Sequence, residues 1–327
     1  MEAFIVKQHH LFNHMFSEEG PEALRQQWNE EVTRQPDEAY KKLNDPFLDF
    51  PSLFILKDDV KEIEALSIRN RIALMHIEKA LNVTLTIPSP STMPMSNVEI
   101  YDCHVQCYEW MIESSSSTLL NNDFLYVIDH ACTYLYQFYN EGHMPQLIEL
   151  LFHRYRNNVQ YHYLLQLLYD SPKREWLLYV AQYLYASPKE RLFAQKLLHF
   201  IPTSHATTLN VAVESIEDWY EDHHHYLLFT GETNDTNHDP VPFVIHYGAK
   251  YLGKAIHCQT GQFISPLSRQ EFDKAQSFSQ LSIDIQERLS TTSAHYRKEN
   301  RSMWREWIKQ PLSSHLEELH IYRPCCH

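Results

Sequence analysis

The sequence predicts a mainly α-helical protein: an antiparallel helical array of the α-hairpin or solenoid-like kind, then a small C-terminal α+β module containing a short antiparallel meander. Three observations carry that expectation. Glycine occurs 6 times in 327 residues, where average usage would give roughly 23, and helices are the elements that do without it. Apolar residues recur at three- and four-residue spacing over much of the chain. Proline-led and asparagine-rich breaks interrupt those stripes at intervals short enough to turn each helix back on its neighbour.

Taken in order, Pro21 begins a helix whose stripe is Leu24, Trp28 and Val32. Asp59 with Glu62 reads as a capping pair ahead of a longer stripe through Leu66, Ile68, Ile72, Met75 and Leu81. The Pro/Ser run at 88–97 cannot continue a helix and marks the end of an N-terminal segment, 1–95. The array follows over 98–216. Asn122 caps a helix with Phe124, Leu125, Ile128, Cys132, Leu135 and Phe138 inward, Pro145 opens the next with Leu147, Ile148, Leu151, Phe152 and Tyr155, and Asn157-Asn158 caps a third bearing Tyr163, Leu164, Leu167 and Leu168. Two similar starts complete it, Ser171-Pro172-Lys173 and Ser187-Pro188-Lys189, the second with Glu190 placed for a capping box. Their stripes are Trp176, Leu177, Val180, Ala181, Leu184 and Phe193, Ala194, Leu197, Leu198, Ile201.

The third segment, 217–327, changes character. Tyr226–Thr230, Val241–Tyr247 and Lys250–His257 are short aromatic or β-branched runs around an exposed loop from Gly231 to Pro240, which predicts a three-run meander. A helix resumes near Arg269 with Phe272, Ala275, Phe278, Leu281, Ile285 and Leu289.

Composition excludes several function classes. No spacing among the glycines makes a dinucleotide fingerprint, a phosphate-cradling P-loop or a nucleophile elbow. The formal charge of −14, with no Lys/Arg cluster beyond the helically spaced Arg297, Lys298, Arg301 and Arg305, argues against nucleic acid and for a partner with a basic surface. The first 16 residues lack the pattern of a secretory signal, no apolar run reaches membrane-spanning length, and the six cysteines form no disulfide framework, so a reduced, cytoplasmic chain is expected.

The densest set of potential ligands is Glu221, Asp222, His223, His224 and His225. If that stretch is extended, His223 and His225 share a face, and His246 on the next strand joins them; with Glu221 this is a donor set for zinc or iron, because neutral imidazole nitrogen suits borderline metals. A polar turn in a His-rich chain is the competing account. Two Glu-x-x-His pairs, Glu221/His224 and Glu317/His320, are at the level chance supplies. Cys103 and Cys107 with Cys325, Cys326 and His327 have zinc-ligand chemistry but no zinc-finger spacing, and read better as buried thiols and a chain end. Tyr179 and Tyr183, off the main stripe of their helix, and Trp304 and Trp307, among arginines, are candidate interface residues.

With no reaction motif, the expectation is a non-enzymatic interaction or adaptor protein that binds another protein and needs no cofactor. The alternatives are a metal-dependent enzyme at the His223/His225 cluster and an antitoxin or immunity-type neutraliser of a basic toxin.

Overall fold

A computed structural model describes residues 10–82, 97–115, 118–139, 144–202 and 209–321. The fold is mainly helical with one two-stranded antiparallel sheet among the described residues, as the sequence predicts. No helix among those residues is long and apolar enough to cross a membrane. The chain divides into two compact units, 1–167 and 168–327, a division that falls elsewhere than the segment limits expected from composition. The Pro/Ser run and the final two cysteines lie outside the described residues.

The first unit opens with α1 (Leu11–Glu19), α2 (Pro21–Arg34), α3 (Pro36–Leu43), α4 (Phe50–Val60) and α5 (Ile68–Leu81). Helix α4 is its apolar centre: every residue from Phe50 to Leu56 is buried. A helix that is apolar all round has no stripe for a periodicity search to find, so α4 is invisible to one. Asp59 lies in the last turn of α4 and caps nothing further on; α5 is capped by Ser67, whose hydroxyl accepts from the Asn70 amide. Met75, assigned to the inward stripe, is 41 % exposed.

Helices α6 (Asn97–Ser115), α7 (Asn122–Thr133) and α8 (Met144–Arg156) complete the unit, and α9 (His162–Tyr169) spans its limit. Asn121, one residue before the expected cap, accepts from the Phe124 amide at 2.9 Å. Phe124, Ile128, Cys132 and Leu135 are buried as expected, but Phe138 is 71 % exposed. The cause is a π-helical turn over Tyr134–Phe138, which widens the helix by a residue and shifts the phase of every side chain after it. Asn158 adopts φ +56° after α8, so it ends that helix rather than capping the next. The fully buried Arg154 of α8 ties the unit together: Nη1 donates to Asp129 Oδ1 at 2.5 Å and to Gln160 O at 3.2 Å, and Nη2 to Leu125 O at 3.1 Å.

In the second unit the two serine-proline starts diverge. Ser187 heads α11 (Pro188–Leu197) with the expected capping box to Glu190. Ser171 instead accepts from Lys173 N in a local turn, and α10 (Trp176–Ala181) begins five residues later, passing into a 3₁₀ turn at Gln182–Tyr185. The stripes of both helices are buried as expected.

After α12 (Leu209–His223) and a 3₁₀ turn, β1 (Leu227–Phe229) pairs antiparallel with β2 (Phe243–Ile245), Leu228 opposite Val244. The expected third run is half corrected. It begins as α13 (Tyr247–Leu252), started by His246 and stopped by Gly253 at φ +64°, and only then passes into a bridge between Ile256 and Phe263. Helices α14 (Arg269–Ser279), α15 (Ile283–Glu299), α16 (Arg301–Trp307) and α17 (Leu312–Ile321) surround α13 with a core of Tyr251, Leu252, Phe278, Leu289 and Trp307. The resumed helix is thus broken at 280–282, and Phe272 is 58 % exposed.

Candidate functional site

The stretch Glu221–Tyr226 is not extended. Glu221 to His223 form the last turn of α12, and His224 to Tyr226 a 3₁₀ turn, so the alternation that would have set His223 and His225 on one face is absent. His246 is on no strand: its Nδ1 accepts from the Ala249 amide at 3.0 Å, which makes it the cap of α13. Among the described residues no group of three or more His, Cys, Asp or Glu could hold a metal ion. The proposed set Glu221, His223, His225 and His246 is therefore not brought together as ligands. Cys107 is a buried thiol 3.3 Å from Arg69 O, its ionisation suppressed by burial.

Glu221, His223 and His225 nonetheless line an open cleft of the second unit, with a volume of about 970 Å³, and His246 does not. Its walls come from α12 (Trp219, Asp222, His223), from β2, and from α15 (Glu287, His295, Arg297, Lys298), with Lys250 of α13 between them. Lys250 is 6 % exposed. Its Nζ lies 2.9 Å from His223 Nε2, and among the described residues no carboxylate oxygen is within ion-pair distance of it.

The protonation pattern follows from the bonds. An ammonium or amine N–H donates to His223 Nε2, which is then the lone-pair nitrogen; the other ring nitrogen, Nδ1, carries the hydrogen and donates to Trp219 O at 2.6 Å. The Trp219 ring stacks on the imidazole at 4.8 Å and 19°. Burial, reinforced by Lys250, pushes His223 down to about 4, so the ring is neutral over the ordinary range. Burial also lowers Lys250, with Arg297 adding to the effect while Asp222 and Glu287 oppose it. Lys250 has no motif around it in the sequence to mark it as a site residue. The signal was its isolation: it is the only Lys or Arg between Lys196 and Lys254.

Of the candidate interface residues, Tyr179 and Tyr183 are half-buried. Trp307 is 6 % exposed, with its indole donating to Glu318 at 2.7 Å, and Trp304 packs on the same core, donating to Ser293 Oγ at 2.8 Å. Trp307 is thus committed to the core of the second unit, and Trp304 is half-buried against it.

A cluster of exposed aromatic side chains lies in the first unit, where α6, α7, the π turn and α9 bring a belt of rings together. Tyr134 stacks on Phe138 at 5.0 Å and neighbours Tyr108 and His130; Tyr101 meets Tyr139 at 5.0 Å, and Tyr126 meets Tyr163 at 6.3 Å. Tyr101, Tyr126, Phe138 and Tyr163 are 38 %, 40 %, 71 % and 48 % exposed. Beneath them His76, 3 % exposed, donates from Nε2 to Val127 O at 3.1 Å, and burial lowers it to about 4.

Charge sets this belt apart. Between Lys79 and Arg154 the sequence has eight Asp or Glu and no Lys or Arg. The Lys79 ammonium itself stands 4.7 Å over the Tyr134 ring, a cation already seated on an aromatic face of this surface.

No family model, curated protein or solved structure matches this chain.

Proposed function

We propose that the chain is a protein-binding module without a catalytic requirement, and that its contact surface is the acidic aromatic belt of the first unit. The observation that carries this reading is that three of the four exposed rings, Tyr101, Tyr126 and Phe138, lie in a long stretch free of Lys and Arg. Rigid aromatic side chains gain contact area at low entropic cost and supply most interface hot spots. A partner with Lys/Arg side chains fits both properties, as ring faces and carboxylates each attract cations. A basic toxin is one special case of such a partner.

The test uses the whole protein and an Arg/Lys-rich peptide as probe, with an acidic peptide of equal length as control. Titration followed by NMR or fluorescence anisotropy is expected to show binding of the basic peptide alone, weakening as salt rises. Phe138→Ser with Tyr163→Ser is expected to weaken it about tenfold, equivalent to roughly 1.4 kcal/mol. Equal affinity for the double variant, or equal binding of both peptides, sinks the proposal.

A further inference from the structure

The second unit carries a separate site that owes nothing to the belt. Lys250 is buried in the wall of an open cleft, 2.9 Å from a neutral imidazole acceptor, and that imidazole is itself held from behind by the Trp219 carbonyl at 2.6 Å and by the Trp219 ring. Nucleophile, acceptor and orienting group in hydrogen-bonded sequence is the arrangement that activates a side-chain nucleophile. The fully buried Arg154 of the first unit, by contrast, has the Asp129 carboxylate beside it.

We propose that Lys250 is the reacting amine of a covalent carbonyl-binding site, which takes an aromatic or otherwise planar aldehyde or ketone into the cleft and holds it as an imine. The preference for a planar group follows from the lining, which includes the aromatic residues Trp219, Tyr226, Phe243 and Tyr247. The chemistry is a condensation. The Nζ lone pair forms a bond to the carbonyl carbon as the C=O π pair moves onto oxygen, and one nitrogen proton passes to that oxygen, with His223 Nε2 placed to relay it. The remaining nitrogen proton and the C–O bond are then lost, water leaves, and a C=N bond remains. No oxidant or reductant is consumed. Desolvation, with Arg297 nearby, lowers the proton affinity of the amine and keeps a larger share of it nucleophilic than at an exposed lysine.

The experiment is reductive trapping on the intact protein. Pyridine-3-carboxaldehyde is the probe, cyanoborohydride supplies the hydride that reduces the imine to a stable secondary amine, and peptide mass spectrometry reads the label at each lysine over time. Lys250 is expected to label about tenfold faster than Lys298, an exposed lysine lining the same cleft. That preference is expected to vanish when the chain is unfolded in urea before labelling. His223→Gln is expected to slow labelling of Lys250 while leaving Lys298 unchanged, a readout that a general loss of structure would move at both sites. Labelling of Lys250 no faster than Lys298 in the folded wild-type protein overturns the proposal, and so does a preference that persists after unfolding. An undiminished rate in His223→Gln removes the imidazole from it.

Discussion

The two units solve the burial of a cationic side chain in opposite ways. In the first, Arg154 is fully buried with Asp129 at 2.5 Å and two backbone carbonyls, so its charge is compensated. In the second, Lys250 is nearly as buried but meets a neutral histidine on the wall of a cleft. Their surfaces differ in the same sense. The first unit has 23 acidic against 12 basic residues and displays its rings, whereas the second has 19 against 16 and spends its tryptophans on the core. A buried charge paired at contact distance locks elements together, whereas a buried amine bonded to a neutral acceptor keeps more of its reactivity.

The largest expected effect tests the strut. Arg154→Met strands Asp129 in the interior and is expected to cost about 3–5 kcal/mol, whereas the double variant with Asp129→Leu recovers most of that loss. Hydrogen exchange resolved by peptide is expected to speed up across 122–156 and to change little across 283–321. Equal loosening of both regions would break the comparison, because it would mean that one cooperative structure, not two, bears the loss.

Acid gives the next largest change. The unfolded His76 imidazole titrates near 6.5 and the folded one at about 4. Between those values the unfolded chain binds the additional proton, so stability from this source is complete above pH 6.5, falls as the pH drops through the window, and is spent below 4. The slope is about 1.4 kcal/mol per pH unit, for a total near 3 kcal/mol. His76→Gln keeps a donor for Val127 O and is expected to flatten this part of a urea-denaturation series run from pH 7 to 4. His223, also held at about 4, gives the second unit a dependence of the same sign.

Gly253→Ala follows, and it acts on the second unit alone. The residue has φ +64°, and an added Cβ would lie 2.9 Å from the Trp304 ring and against Arg297 Nη1. The backbone penalty alone is roughly 1–2 kcal/mol, which a lowered thermal midpoint would report. Because Arg297 must move, Lys250 trapping is expected to slow in the same variant. Full stability would show that the end of α13 is not fixed by this glycine.

How much of this was legible in the sequence depended on whether a feature was local. The Ser187 capping box and the stripes of α10 and α11 could be read directly, since capping and periodicity are written within a few residues. Helix α4 could not, because uniform burial erases the stripe. Helix α13 carries no helical signal in the sequence because six residues are too few for a period to show, and what makes them helical is the His246 ring at one end and a left-handed glycine at the other. At the cleft, the alternation expected of His223 and His225 is absent because both lie in helical turns. The partner that gives His223 its meaning is 27 residues away in sequence and reaches it only by tertiary packing.

The smallest stability change is expected at the belt, and it is the one that separates surface from core. Phe138 is 71 % exposed, held out by the π turn, so Phe138→Ser removes little buried area and is expected to shift stability by no more than about 0.5 kcal/mol. Trp307→Ala, on an aromatic of the second unit that is 6 % exposed, is expected to cost about 3–5 kcal/mol. Parallel urea titrations of the two variants compare these values directly. If Phe138→Ser were the costlier, the ring would be part of the folded unit's own packing, and the belt would lose its standing as a surface kept open for a partner.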